Sequence, residues 1–392
     1  MNCRICHSVL DTCICLLPAM PLTDNFVPIT GTESEFIQDI SIYRCSSCGL
    51  VQNPVDFNHE AYYENYEYSS GHSEFTRQFM QAYARAACDA FLKINGCAPH
   101  SVLEIGSGDG VQLRAFQDLG VTQVLGVEPS EALVSQSRDI GVPAFKGLFT
   151  SELIEHLPGA PFDICISSYT LDHVRNPGDY LLAAHSLLSP GGILAFEVHD
   201  LGRIADLAEW CLFEHEHTIY MDSDMAKGVL QRSNFEVIAI NPLPENQVRA
   251  NSLIIIARKS DKAPTAPQVS AADYAWIQDR VHAAIGRIDA WIANLPAEHL
   301  LVGFGAGGRG VMTLAALSGH PRFSAVFDSN HQSGRVLTPK THIPVCGLDR
   351  LAEFKDAWCL VFSFGYLAEI TETLLASGYR ADRIVSLKSL LG

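Results

Sequence analysis

Val102-Leu103-Glu104-Ile105-Gly106-Ser107-Gly108-Asp109-Gly110 is the stretch whose reading decides the fold. Ser101 to Ile105 is rich in branched apolar residues, the composition of a short buried strand. Three glycines at every second position follow it, and Val111 to Leu119 then has the spacing of an amphipathic helix. Glycine lets the backbone adopt positive φ and lets a ligand approach with no Cβ in the way. The helix start behind the turn offers free N–H groups. A flat, nucleoside-like ligand is therefore expected across Gly106–Gly110.

Charge selects among the candidate ligands. Dinucleotide folds use G-x-G-x-x-G and seat a pyrophosphate on the helix dipole. Here the spacing is G-x-G-x-G, and Glu104 and Asp109 flank it. Two carboxylates repel a pyrophosphate and suit a cation. S-adenosylmethionine carries a sulfonium and an ammonium and no phosphate. Val124 to Glu128 predicts the next strand, ending in an acid 22 residues after Gly106, where a carboxylate can hold both ribose hydroxyls. Glu104, Gly106, Ser107, Gly108, Asp109, Gly110, Glu128, Pro129 and Ser167 are the expected cofactor contacts. The bland alternative, a turn without a ligand, leaves the strand–turn–helix context and the two acids unexplained.

Outward from this turn the chain alternates strand and helix. Helix is expected over Glu74–Leu92, Ser130–Ile140 (Ser130 as N-cap), Gly178–Leu188 and Asp222–Ser233. Strands are expected over Val142–Lys146, Phe162–Ser168 and Ile193–Val198, the last entered through a Pro190-Gly191-Gly192 turn. Val237–Ile240 and Ser252–Ile256 read as a closing pair. Such alternation implies a mostly parallel sheet covered on both faces, with ligands beyond the carboxyl ends of its strands. Gly106, Glu128, Ser167, His173 and His199 then share one rim.

Beyond the polar linker Lys259–Gln268, Ala271–Ile292 reads as a long helix. Leu300 to Gly310 then repeats the strand–glycine–helix pattern with G-x-G-x-x-G intact from Gly305. Ser324 to Asp328 is a strand ending in acid, and Trp358–Phe364, Leu367–Ala376 and Arg383–Leu387 complete a small second sheet. Gly305, Gly307 and Arg309 could take a nucleotide phosphate; equally, these glycines could serve only close packing of helix on strand. The fold class is thus α/β. A small N-terminal zinc-binding module (residues 1–70, with a tyrosine-rich connector) precedes a central class I methyltransferase Rossmann-like sheet (71–260). A smaller Rossmann-like α/β domain (261–392) follows.

The zinc module is read from Cys3-x-x-Cys6 and Cys45-x-x-Cys48-Gly49. Each pair fits a knuckle that aims two thiolates at one ion. Cys3, Cys6, Cys45 and Cys48 would close a tetrahedral, structural zinc site with no open position. Cys13-x-Cys15 offers competing ligands, and Glu35–Tyr43 between the knuckles reads as a strand. The twelve cysteines and the lack of a signal peptide in Met1–Leu10 fit reduced thiols and a cytoplasmic location. A formal charge of −17 with no Lys/Arg cluster argues against nucleic acid. No apolar run approaches a membrane span, and a monomer is compatible with the sequence.

Two polar stretches remain. Tyr62, Tyr63, Tyr66 and Tyr68 lead into Ser69-Ser70-Gly71-His72-Ser73. Phenols beside small hydroxyl residues suit a sugar-like ligand, or else pack a seam between domains. Phe213-Glu214-His215-Glu216-His217-Thr218-Ile219-Tyr220 alternates acids and imidazoles. It can supply a general base or metal ligands, or it is simply an exposed polar helix.

The order of these parts resembles the sugar C-methyltransferases of deoxysugar pathways, which act on nucleotide-linked 4-keto sugars. The likeness covers nearly the whole chain. It rests on the four cysteines, Pro21-Leu22, Tyr66–Gly71, Glu104–Gly110, Thr170–His173, Glu216-His217 and Gly305–Gly310. The resemblance implies proton removal beside the keto group and methyl transfer to the enolate carbon. It implies His217 as the base with Glu216 tuning it, and Tyr68 and His173 as hydrogen-bond donors to the enolate or a sugar hydroxyl. Tyr63, Tyr169, Glu214, His215 and Tyr220 are expected against the substrate. Glu214 and Tyr169 stand where the family often carries Tyr and Asn. Two other classes stay open: a metal-dependent O-methyltransferase using Glu214–His217 with Asp172 or His199, and a zinc-stapled nucleotide-binding scaffold.

Overall fold

The strand that begins at Ser101 lies inside a seven-stranded sheet. The computed structural model describes residues 1–31, 35–57, 59–64, 74–262, 269–331 and 333–391. They form two compact units: Met1–Thr12, Arg44–Leu201 and Thr218–Asp273 in the first, and Cys13–Tyr43, Gly202–His217 and Tyr274–Gly392 in the second. These units do not follow the three consecutive segments 1–70, 71–260 and 261–392. The two cysteine knuckles belong with the large sheet. Cys13–Tyr43 belongs with the C-terminal residues. Among the described residues no helix is long and apolar enough to cross a membrane.

In the first unit the strands are β1 (Ser101–Ile105), β2 (Gln123–Glu128), β3 (Ala144–Lys146), β4 (Phe162–Ser168), β5 (Leu188–His199), β6 (Phe235–Ile240) and β7 (Ser252–Lys259). Their order is β6-β7-β5-β4-β1-β2-β3. β1 to β5 run parallel, and β7 is antiparallel to both β5 and β6. The parallel strands are buried nearly throughout, as strands covered on both faces must be. Helices α1 (Glu74–Asn95), α2 (Val111–Asp118), α3 (Glu131–Asp139), α4 (Pro177–Leu187) and α5 (Ser223–Arg232) follow the expected pattern. Phe79, Tyr83 and Phe91 of α1 and Leu113 and Phe116 of α2 pack with Val102, Ile164, Ile193 and Ile254 of the sheet. Ser130 caps α3 by accepting from Leu133 N, and Asp222 caps α5.

One expected turn is not a turn. Pro190-Gly191-Gly192 lies inside β5, where Phe162 pairs with Leu188 but Ile164 already pairs with Ile193. Five steps on β5 answer two on β4, so the extra residues bulge out, with Gly191 at φ 75°.

The second unit holds β8 (Leu301–Phe304), β9 (Phe323–Phe327), β10 (Val345–Cys346), β11 (Trp358–Val361) and β12 (Ile384–Ser386). They form a parallel sheet in the order β10-β9-β8-β11-β12. Helices α6 (Ile277–Asn294), α7 (Gly308–Ala316) and α8 (Leu367–Ala376) accompany it. α6 starts six residues later than expected, after a turn with Tyr274 at φ 54°. Strands Thr12–Pro21 and Ile37–Arg44 are neighbours in a sheet, and Val27–Pro28 pairs with Val336–Leu337.

Candidate methyl-donor site and candidate zinc centre

In the first unit the four cysteines converge. Cys3 and Cys48 Sγ lie 3.6 Å apart, Cys6 and Cys45 Sγ 3.5 Å apart, and all four sulfurs are within 4.8 Å of one another. A tetrahedral zinc with Zn–S near about 2.3 Å needs sulfurs about 3.8 Å apart, so the donor set fits that ion. Gln52, fully buried, donates Nε2–H to Cys3 Sγ at 3.2 Å and accepts Arg4 N at 2.8 Å. It thus steadies a thiolate from outside the ligand set. Hydrogen bonding from Cys48 draws the Cys3 thiol down to about 4. Arg4 fixes the first knuckle through Asn53 O, Arg175 O and the Asp56 carboxylate at 2.7 Å. Cys13 and Cys15 stand outside this cluster; Cys15 is buried and its thiol is pushed up to about 12 by desolvation.

The glycine turn closes as its sequence requires. Gly106 has φ +73°, and a Cβ there would meet Thr170 Oγ1 at 2.3 Å. Gly108 has φ +53°, and a Cβ there would meet nothing within 4 Å among the described residues, which leaves one open side to the turn. Glu128 ends β2 and accepts Gly108 N and Ser130 N, both at 2.9 Å. Each of its oxygens receives one N–H and keeps acceptor capacity for a hydroxyl. Burial raises its carboxyl above the ordinary range despite those two bonds.

Glu104 supplies the test of the cofactor. The residue is 3% exposed, and Oε2 has no hydrogen-bond partner among the described residues. Burial first, then repulsion from Asp109, hold its proton well above the usual carboxylate range; Arg249 opposes this. A buried acid without a partner beside an open glycine turn is a site for a cation. The ammonium and sulfonium of S-adenosylmethionine fit it, and a pyrophosphate does not. Asp109 is also buried, and Ser167 sits at the end of β4 fully buried; Pro129 is half-buried.

Tyr63, Tyr169, Asp172, His173 and His199, all singled out in the sequence, are joined in one network whose bonding the sequence did not give. The Tyr63 hydroxyl lies 2.7 Å from His173 Nδ1. Asp172 Oδ2 accepts from His199 Nδ1 at 2.8 Å, and its Oδ1 stands 4.0 Å from His173 Nε2. Tyr169 adopts φ 47°, a strained value for a bulky residue. Its ring stacks 4.5 Å from His199, and its hydroxyl lies 2.9 Å from Ser252 Oγ. Ser252 in turn donates to the fully buried Glu197. Arg249 sits 4.4 Å over Phe79 and 3.7 Å from Glu197 Oε2. Burial, then the charge of Glu197, keep the Tyr169 phenol protonated. Tyr220 is buried in the short strand Ile219–Tyr220, paired with Val51–Gln52. Tyr68 lies outside the described residues.

In the second unit the acid–imidazole run is neither helical nor exposed. Glu214, His215, Glu216 and His217 are all buried, and each side chain has a defined contact. Glu214 packs on Gly308, the first residue of α7. His215 Nε2–H donates to Met20 O at 3.0 Å, and burial lowers its proton affinity so that it stays neutral. Glu216 Oε1 accepts from Thr23 Oγ1 at 2.6 Å. His217 Nδ1–H donates to Leu212 O at 2.8 Å, and Nε2 lies 3.8 Å from Glu214 Oε2.

The second glycine turn is built more tightly than the first. A Cβ on Gly310 would lie 2.0 Å from Gly305 O, while a Cβ on Gly307 would meet nothing within 4 Å among the described residues. Arg309 Nε donates to the buried Glu209 at 3.2 Å, and its guanidinium lies 4.4 Å from the Phe364 ring centroid. Asp328 accepts Ala306 N at 2.8 Å and Asn330 N at 2.9 Å.

Residues 76–240 match the family model described as a methyltransferase domain. The tRNA U34 carboxymethyltransferase of Idiomarina loihiensis is 34% identical over 113 residues, 26% of this chain and 35% of that protein. A ubiquinone biosynthesis O-methyltransferase of Pseudomonas paraeruginosa is 30% identical over 102 residues, 25% of this chain and 43% of its own. The chain thus spans less than half the length of these curated relatives. A solved plantazolicin methyltransferase, BamL, in complex with a triazolic desmethylPZN analog and SAH, aligns with 49% of this chain and 87% of its own at 13% identity and a TM-score of 0.40. With the strand order and the glycine turn, the matched segment defines a class I S-adenosylmethionine-dependent methyltransferase domain. What that domain methylates is a separate question.

Proposed function

We propose that the chain methylates a carbon beside the keto group of a nucleotide-linked deoxysugar. The supporting observation is the Tyr63–His173 hydrogen bond of 2.7 Å just beyond the end of β4, the strand next to the one that carries the glycine turn. A phenol and an imidazole on that rim are the donors an enolate oxygen needs. The resemblance in the order of motifs supplies the keto sugar. When bound at Glu104–Gly110 and Glu128, S-adenosylmethionine supplies an electrophilic methyl group.

The chain's own residues handle the proton. By the resemblance, His217 accepts it from the carbon beside the carbonyl, and the C–H electron pair becomes the enolate. The Nδ1–H bond to Leu212 O fixes the tautomer in which Nε2 is the basic atom. Glu216, held by Thr23, orients the loop that carries this imidazole. One member of the Tyr63–His173 pair donates to the enolate oxygen: His173 Nε2–H when the Tyr63 hydroxyl donates to Nδ1, or the Tyr63 hydroxyl when Nδ1–H donates to it; Tyr68 shares that role by the resemblance. The four-cysteine zinc is closed and structural.

A second reading, methylation of a hydroxyl, is supported by the O-methyltransferases among the relatives. Incubation of the protein with S-adenosylmethionine and a nucleotide-linked 4-keto-deoxysugar in deuterated water separates the two. Enolate chemistry gives deuterium at the carbon beside the carbonyl and a new C–CH3 signal. A methyl on oxygen with no exchange at carbon refutes it. His217→Ala is expected to lower turnover by at least ~10²-fold.

A further inference from the structure

We infer that the second glycine turn is an anchor and not a nucleotide site, and that Glu214, seated at the start of α7, is the positioning residue for His217. The inference rests on the reading of His217 as proton acceptor.

All its parts lie within the second unit. A Cβ built on Gly308 would stand 2.5 Å from Glu214 Oε1 and 3.1 Å from its carboxyl carbon. The carboxylate therefore occupies the space over the first residue of a nine-residue helix, where the helix dipole favours negative charge. This is where a phosphate would otherwise sit. The same carboxylate reaches to within 3.8 Å of His217 Nε2, where it stabilises an imidazolium.

Two further contacts tie the same loop to the same helix. Glu209, fully buried, takes Arg309, the cation a phosphate would need. The short 3-10 turn Trp210–Leu212 packs against the same helix. Gly310 is committed to packing on Gly305 O. A G-x-G-x-x-G turn whose helix start and arginine both face acids of its own chain repels a phosphate. Its glycine at 308 serves the approach of a side chain instead of a ligand.

The experiment compares Glu214→Gln, Gly308→Ala and Gly307→Val with the unaltered chain. Gly307→Val projects where a Cβ would meet nothing within 4 Å among the described residues, and would block a phosphate. Nitrogen-15 histidine spectra at fixed pH, with His217 assigned by its absence in His217→Ala, report the imidazole directly. Equilibrium dialysis with UDP, ADP and dTDP reports nucleotide binding. The His217 Nε2 resonance is expected to move in Glu214→Gln and Gly308→Ala and to stay in place in Gly307→Val. Any nucleotide affinity of the unaltered chain is expected to survive in Gly307→Val. An unmoved resonance in Glu214→Gln overturns the inference, as does nucleotide binding abolished by Gly307→Val. Because neither readout uses turnover, failure of His217 as base appears separately, as near-unchanged activity of His217→Ala.

Discussion

Replacing Glu104 by Gln tests the methyl-donor site at its most informative atom. The side chain is almost completely buried, Oε2 lacks a partner among the described residues, and its proton is held well above the usual carboxylate range, chiefly by burial. Burial therefore favours the neutral acid in the free site. Arrival of a cation reverses that preference, so binding of S-adenosylmethionine is expected to expel a proton. A charge-assisted contact contributes about 1.5–3 kcal/mol, and about 1.4 kcal/mol is tenfold in affinity. Glu104→Gln should therefore weaken binding by about 10- to 150-fold. Calorimetry in two buffers of different ionisation heat measures both effects. The unaltered protein should show a buffer-dependent heat equal to the released proton, and the variant should show none. Stability responds in a matching sense. A proton held more tightly in the folded chain than in the unfolded one stabilises the fold below the unfolded value, near 4.5, and that contribution is lost as pH rises through the folded value. Thermal unfolding of the ligand-free protein should then fall from pH 5 to pH 8 more steeply in the unaltered chain than in the variant. Equal affinities for the cofactor, or a buffer-independent heat in the unaltered chain, would refute this account of Glu104.

Cys45→Ser should give a protein that binds less than one zinc by atomic absorption and aggregates, because a structural zinc site contributes folding energy; a soluble, metal-free, cofactor-binding variant would exclude zinc at these thiols. Brief EDTA treatment should leave methyl transfer intact, whereas loss of turnover restored by magnesium would favour the metal-dependent alternative. Gly310→Ala forces a methyl to within 2.0 Å of Gly305 O, and overpacking of this kind costs about 1–3 kcal/mol, measurable as a lowered denaturant midpoint of the second unit. Ser130→Ala removes the cap on Leu133 N and should cost about 1 kcal/mol with little change in cofactor affinity.

The strand, turn and helix of the candidate methyl-donor site were legible because they are local. Strand, glycine turn and helix follow one another within ten residues, and β4 spans Phe162–Ser168 as the apolar run predicted. The acids that matter sit beside the glycines or at the next strand end. The cluster around Asp172 was less legible because its parts are brought together by topology. Asp172 meets His199 across adjacent strand ends, and Tyr169 reaches Ser252 across the sheet. Alternating acids and imidazoles at 214–217 suggested an exposed helix as one option, yet each side chain is buried against a specific partner. Sequence periodicity cannot register that, because charged residues become buried only where tertiary partners compensate them. Pro190-Gly191-Gly192 has the composition of a turn, and nothing local distinguishes it from a bulge inside one strand.

Neither unit is continuous in the chain, and this shapes how the protein can be made. Cys13–Tyr43 leaves the ribosome before the residues it belongs with, Gly202–His217 and those from Tyr274 onward. At roughly 5–20 residues per second, its companions arrive about 10–50 s later. Throughout that interval its two strands lack the rest of their unit, and the first unit must form around a gap on either side. Shortened versions cut near residue 70 or 260 would strand pieces of both units. Useful expression fragments would have to respect the discontinuity, and a holding chaperone should improve the yield of the whole chain.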